Sequence, residues 1–227
     1  MLRALVRWFK SENLLEQAKL EVYEMLREDF RLFEDSNKLF WTGEGASIDQ
    51  LRERDKQINR FVRDVRKKVL THLAFSGSGG LDTALVMISL VVYIERIGDY
   101  TKDIGYLATD YPGQIKASGL TDEIKQFSDI LSDRIRRLIT IFDESEDAGE
   151  AGSKLTSSHK SIDVQYRELL NKLITGPDLG FTPGESIKLA LYLRYLRRVE
   201  GHIFNIASAE VNPFHRISFK VKDQEKS

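Results

Sequence analysis

Leu81–Leu107, LDTALVMISLVVYIERIGDYTKDIGYL, is the stretch around which the chain is organised. From Leu81 to Ile94 it is apolar on nearly every face, so as a helix it must be enclosed by other protein. That apolar part is roughly half of the ~20 residues a bilayer span needs, so a central buried helix is predicted and no transmembrane segment. At Glu95 the character changes. Glu95, Asp99 and Asp103 recur every four residues, which stacks three carboxylates along one drifting stripe of the helix. Like charges at that spacing destabilise a helix by about 0.2–0.5 kcal/mol per pair, so something is expected to compensate them.

Outward from this helix, the chain is a succession of helix signals with no convincing period-two alternation. A first helix is expected from about Ser11, read as its N-cap, to Phe33, with Leu14, Ala18, Val22, Met25, Leu26 and Phe33 facing inward. After Trp41, the Gly43–Gly45 segment ends that unit. Ser47 and Gln50 then form a capping box for a second helix with the stripe Leu51, Ile58, Val62, Val65, Val69 and Leu73. Ser76–Gly80 reads as a turn, because it lacks the lysine and the preceding strand of a phosphate loop. The central helix should end before Tyr111-Pro112-Gly113.

The same order of events then begins again. Thr121 is read as the cap of a fourth helix carrying Ile124, Phe127, Leu131, Leu138 and Phe142. The acidic stretch Asp143–Ser153 reads as a solvated loop. A fifth helix carries Ile162, Tyr166, Leu169 and Leu173, and Thr182-Pro183-Gly184-Glu185 opens a sixth that should run to about Val211. The prediction is an all-α protein of two tandem three-helix bundles with long antiparallel helices, divided as residues 1–115 and 116–227.

Composition narrows the function. The 34 Lys and Arg nearly cancel the 35 Asp and Glu, so no global field favours nucleic acid, and no nucleic-acid partner is expected. With no cysteine, disulfides, thiolate metal sites and a cysteine nucleophile are excluded. MLRALVRWFK, with arginines inside its apolar run and no small-residue cleavage site, is no secretory signal. It is expected to pack on the bundle, with peripheral membrane contact as the competing reading. The tail Lys220–Ser227 is expected to fray.

A shift of 102 residues aligns Ile94–Ile104 with Leu196–Ile206, matching Arg96 to Arg198 and apolar positions to apolar positions. Ile58-Asn59 pairs with Ile162-Asp163 at a shift of 104. Two related three-helix units follow. On these residues YIERIGDYTKDIGYLA resembles the signature of the PhoU family of phosphate-uptake regulators, a helix with E-R-I-x-D-H-x-x-N-I-A, and Asp55–Asn59 is similar to the family's D-x-x-I-N. In the first repeat the Glu and Asp positions are Glu95 and Asp99, while Asp103 stands for Asn and Tyr100 for His. In the second, Arg197 and Gly201 replace Glu and Asp, while His202 and Asn205 remain.

The resemblance implies a cytoplasmic regulator of phosphate uptake and phosphate-starvation signalling that contacts the ATPase of a phosphate ABC transporter and a sensor histidine kinase. It also implies a divalent or trivalent ion, iron, manganese or magnesium ahead of zinc or calcium, on one cluster in the first repeat. The residues support that set independently. Glu95, Asp99 and Asp103 could converge with Asp55 and Asn59, an all-oxygen donor set suited to Mg, Ca, Mn or Fe rather than Zn or Cu. The competing reading is that Arg96, Lys102, Arg63 and Arg66 neutralise the stripe through ordinary ion pairs.

His72, His159, His202 and His215 share no metal-ligand spacing. Arg194, Arg197 and Arg198 invite an anion reading, set against pairing of Arg197 and Arg198 with Glu200 or with carboxylates of a neighbouring helix. No nucleophile set stands out, so binding rather than catalysis is expected. Long ridged helix faces suit docking, and a C₂ homodimer is the default. An accessory protein of another phosphate or metal transporter is one alternative. A carboxylate-bridged helical-bundle metalloenzyme is the other, but it would need Glu-x-x-His motifs, which the chain lacks.

Overall fold

The computed structural model describes residues 2–142, 147–176 and 180–219, with side chains from residue 14 onward. Over them the chain forms six α-helices and one 3₁₀ turn, with no strand among the described residues. The helices are α1 (Leu2–Thr42), α2 (Ile48–Ser76), α3 (Leu81–Asp110), α4 (Gly119–Phe142), α5 (Ala148–Thr175) and α6 (Pro183–Ser208). Expectations about the side chains of residues 1–10 and about the tail Lys220–Ser227 lie outside the described residues. No helix of the described residues is long and apolar enough to cross a membrane.

Helices α1, α2 and α3 pack mutually, as do α4, α5 and α6, and the two groups meet along α3 against α6 and α1 against α4. The central stretch is buried along one face, where Ala84, Met87, Leu90, Val91, Ile94, Ile97 and Ile104 lie in the core, while Leu85, Val86, Ile88 and Val92 are half-buried and Leu81 is exposed. One continuous apolar core runs through both bundles. Where they meet, Phe40 stacks on Tyr192 at 4.1 Å, and the Trp41 indole donates to the Tyr192 hydroxyl at 3.1 Å. That hydroxyl donates to Asn37 Oδ1, which also accepts from Ser128 at 3.0 Å, so the polar tips of Trp41, Tyr192, Asn37 and Ser128 are all partnered.

The capping boxes read from sequence form. Ser47 Oγ accepts from Gln50 N while Gln50 closes back on Ser47 N, and Thr182 and Glu185 repeat the arrangement. Elsewhere the boundaries move, each for a local reason. Helix α1 runs through Ser11 and past Phe33, because no glycine or proline interrupts the chain before Gly43. Thr121 lies inside α4; its hydroxyl accepts from Ser118 N while Ser118 Oγ accepts from Thr121 N, so the reciprocal pair stands one turn earlier. Residues 148–153 are helical rather than looped, since Asp147 caps α5 by accepting from Glu150 N at 2.7 Å. Helix α6 closes at Ser208, before Val211, in a series of turns leading to Phe214–Arg216.

Ser76–Gly80 is a turn, and the buried His72 ties it down with Nε2 at 2.8 Å from Gly79 O. Gly80 has φ +71, and a side chain there would meet Leu15 and His72, so position 80 needs glycine both for its backbone and for space.

Candidate metal centre and its counterpart in the second bundle

The inward face of α1 carries one residue out of character. Asp29 falls in register with Met25, Leu26, Leu32 and Phe33 and is fully buried, and neither of its carboxylate oxygens has a hydrogen-bond partner. It lies against α3 where Gly98 leaves room: a Cβ at 98 would stand 2.8 Å from Asp29 Oδ1. Burial, and then the charges of Asp55, Asp99, Glu28 and Glu95, push its carboxyl well above the usual carboxylate range. An ionised carboxylate buried without partners is costly, so Asp29 either carries a proton or faces a cation.

Around it stand the residues read from sequence. Asp55 and Asn59 come from α2, with the Asn59 amide donating to Asp55 O at 3.0 Å and resting 3.4 Å from Asp55 Oδ2. Glu95 and Asp99 come from α3, one turn apart. Asp103 lies further along α3, where burial raises its carboxyl, Lys102 opposes, and Asp99 and Asp55 add to the rise; it borders Tyr195 of α6.

A protein cation already serves this set. Lys102 Nζ is 2.8 Å from Asp55 Oδ1 and 3.5 Å from Asp99 Oδ1, and Arg96 pairs with Asp99 Oδ2 at 2.9 Å. Burial lowers the Lys102 ammonium, but Asp55 and Asp99 outweigh it and hold the group above its ordinary value. As the side chains lie, no three carboxylate or histidine groups among the described residues stand close enough to hold an ion. The donor chemistry fits a hard cation nonetheless: the set is all oxygen, and both buried Asp29 oxygens lack a hydrogen-bond partner.

The second bundle carries the opposite charge at the corresponding place. By the 102-residue shift Gly98 becomes Glu200 and Glu95 becomes Arg197, and by the 104-residue shift Asp55 becomes His159. Opposite Glu200, where Asp29 faces Gly98, α4 supplies Arg134. The two side chains are buried, 7% and 2% exposed, and share two hydrogen bonds, Nε to Oε2 at 2.7 Å and Nη2 to Oε1 at 2.8 Å. His159 Nδ1 is 2.9 Å from Glu200 Oε1, and Arg134 also donates to Ser158 Oγ and Leu155 O. Arg197 does pair with a neighbouring helix, donating to Asp163 Oδ1 at 3.0 Å, but Glu200 takes Arg134 rather than Arg197 or Arg198.

Residues 22–108, which hold every residue of the first-bundle set, match the family model described as PhoU domain. Over that stretch the chain is similar to the PhoU family. A PhoU homolog of Synechocystis, described as a phosphate-specific transport system accessory protein, is 25% identical over 198 residues, 85% of this chain and 84% of that protein. Two crystal structures share the fold with a TM-score of 0.67. PhoU from Streptococcus pneumoniae, a phosphate transport system regulatory protein, is 15% identical, with 92% of this chain and 95% of that one aligned. PhoU from Pseudomonas aeruginosa is 19% identical, with 91% and 96% aligned. The PhoU match covers the bundle that keeps its carboxylates and stops short of the one that has replaced them.

Asp29 and Arg134 do not enter the reading of the sequence, and Glu200 enters it only as a partner for Arg197 or Arg198. Each nevertheless left a trace there, as a charged residue at a core position of an otherwise apolar helical stripe.

Proposed function

We propose that this chain regulates phosphate transport by binding protein partners, the ATPase of a phosphate ABC transporter and a sensor kinase, from the cytoplasmic side and as a homodimer. The observation that carries this reading is the match to the PhoU domain over residues 22–108, supported by the likeness to the accessory protein over most of both chains. Its long exposed helix faces suit docking.

A hard cation would belong to the first bundle. Asp29, Asp55, Asp99 and Glu95 would hold it, with the Asn59 carbonyl oxygen as a neutral donor and Asp103 at the margin. Its charge would offset the mutual repulsion of the set and ionise Asp29. Lys102 supplies part of the same compensation, so metal and ammonium compete, and removing the ammonium favours the metal.

The test is elemental analysis of protein purified without chelator, alongside phosphate uptake in cells lacking the chain and complemented with variants. Wild type is expected to carry about one equivalent or more of Fe, Mn or Mg. Asp29→Asn and Asp99→Ala should lose the ion and fail to restrain uptake when phosphate is plentiful. Normal restraint by metal-free variants would remove the metal from the mechanism, and unaltered uptake in cells lacking the chain would remove the regulatory role itself.

A further inference from the structure

Beside the Arg134–Glu200 pair lies a cavity of about 370 Å³ between α5 and α6, closed at one side by Ser218 beyond the 3₁₀ turn. Arg197, Arg198, His159, His202 and Asn205 line it. Two carboxylates share the wall, but both are committed. Glu200 is held by Arg134 and His159, and Asp163 accepts from both Arg197 and Arg167. Arg198 makes no ion pair among the described residues; its guanidinium rests 6.0 Å from the Tyr100 ring centre and is otherwise exposed.

His202 is the second unsatisfied group. Its ring lies between Tyr93 and Tyr100, with centres 6.0 and 5.8 Å away, and Nδ1 is buried with no hydrogen-bond partner. Burial first, and then the fields of Arg198 and Arg96, press its pKa down to about 4. The same two cations that resist a proton there attract an anion. Arg198 offers a planar pair of donors, while the His202 imidazole and the Asn205 amide add hydrogen-bonding groups around the space; the Ser218 hydroxyl is committed as a donor to the Tyr93 hydroxyl at 2.9 Å.

From this arrangement we infer that the second bundle holds a binding site for a phosphoryl oxyanion, either inorganic phosphate or a small phosphate monoester, with Arg198 as its principal charge and His202 and Asn205 as hydrogen-bonding partners. The tetrahedral anion presents several acceptor oxygens at once, which suits one forked guanidinium with further donors around it. The cavity exceeds the size of inorganic phosphate, leaving room for bridging water or for an esterified group. The inference stands apart from the transport reading, because it rests on Arg198, His202 and Asn205 of the second bundle and on none of the first-bundle carboxylates.

Titration of the full chain with inorganic phosphate and, separately, with phenyl phosphate tests it, by calorimetry and by NMR of the histidine imidazoles. EDTA is kept present so that phosphate held through a cation in the first bundle does not register. Saturable binding is expected, weakened about tenfold or more in Arg198→Gln, partly restored in Arg198→Lys, and accompanied by movement of the His202 signals. Because Arg198 is exposed, these variants should fold, which circular dichroism checks. The tighter of the two ligands identifies the source of the phosphoryl group. No saturation by about 10 mM of either ligand, or equal binding by wild type and Arg198→Gln, would overturn the site.

Discussion

Arg134 and Glu200 meet in the core of the second bundle with nearly all their hydrogen-bonding capacity used, so removing Arg134 leaves a buried Glu200 with only His159 against it, and removing Glu200 leaves a buried Arg134 with no carboxylate. Arg134→Ala is expected to cost about 3–5 kcal/mol in urea unfolding. An Arg134→Met, Glu200→Leu double variant should recover most of that loss, because an apolar pair of similar volume needs no compensation. A double variant as unstable as the single one would mean that the pair specifies the packing and does more than fill it. The corresponding charge in the first bundle, Asp29, has no such partner. At this scale the sequence was only partly legible. The stripe of Glu95, Asp99 and Asp103 and the Asp55–Asn59 pattern stand out because they repeat at helical spacing, and all five residues are half-buried. Asp29, Arg134 and Glu200 each interrupt an apolar register once, and what faces an isolated buried charge depends on a helix distant in sequence.

Among the elements, α5 shows best why a boundary resists reading. Its first turns are acidic and contain Gly149 and Gly152, a composition that resembles a loop, yet Asp147 caps them and Gly152 packs tightly. A Cβ on Gly152 would stand 2.9 Å from Glu210 Cβ and 3.1 Å from Ala207 O, at the end of α6. Gly152→Ala is therefore expected to destabilise by about 1–3 kcal/mol, since backbone and not a flexible side chain is in the way. Gly201→Ala, in the interior of α6 with nothing within 4 Å of the added methyl, should instead stabilise by about 0.5–1 kcal/mol. Thermal melts of the two variants, measured together, check the contrast. Helix identity and the two capping boxes were readable because they depend on local chemistry; the reach of α1 and the start of α5 were not, since tertiary contact outweighs local propensity there.

For the whole molecule the seam between the bundles is the controlling feature, and His202 on α6, packed against Tyr93 and Tyr100 of α3, makes it sensitive to pH. Its folded pKa of about 4 lies below the ~6.5 of an unfolded histidine. Between those values the unfolded chain binds more protons, so this residue's contribution is complete above about pH 6.5 and is lost as pH falls towards 4. Asp29, displaced upward, acts in the opposite sense. The comparison is therefore wild type against His202→Gln, and the variant should lose less stability than wild type between pH 6.5 and 4.5 in urea titrations. An identical pH slope in the two proteins would show that His202 carries no linkage. The division into helices and the buried central helix were foreseeable from periodicity. The aromatic seam was not, because Trp41 and Tyr192 are 151 residues apart and meet only in the folded chain.

That seam also gives the chain a built-in optical gauge. Of its two tryptophans, Trp41 has its indole N–H bonded to a tyrosine of the opposite bundle. Once Trp8 is replaced by phenylalanine, emission comes from a single indole whose surroundings change if the bundles part. Partner docking, metal loading and anion binding could then be followed without any label, each reporting whether an event in one bundle is felt in the other.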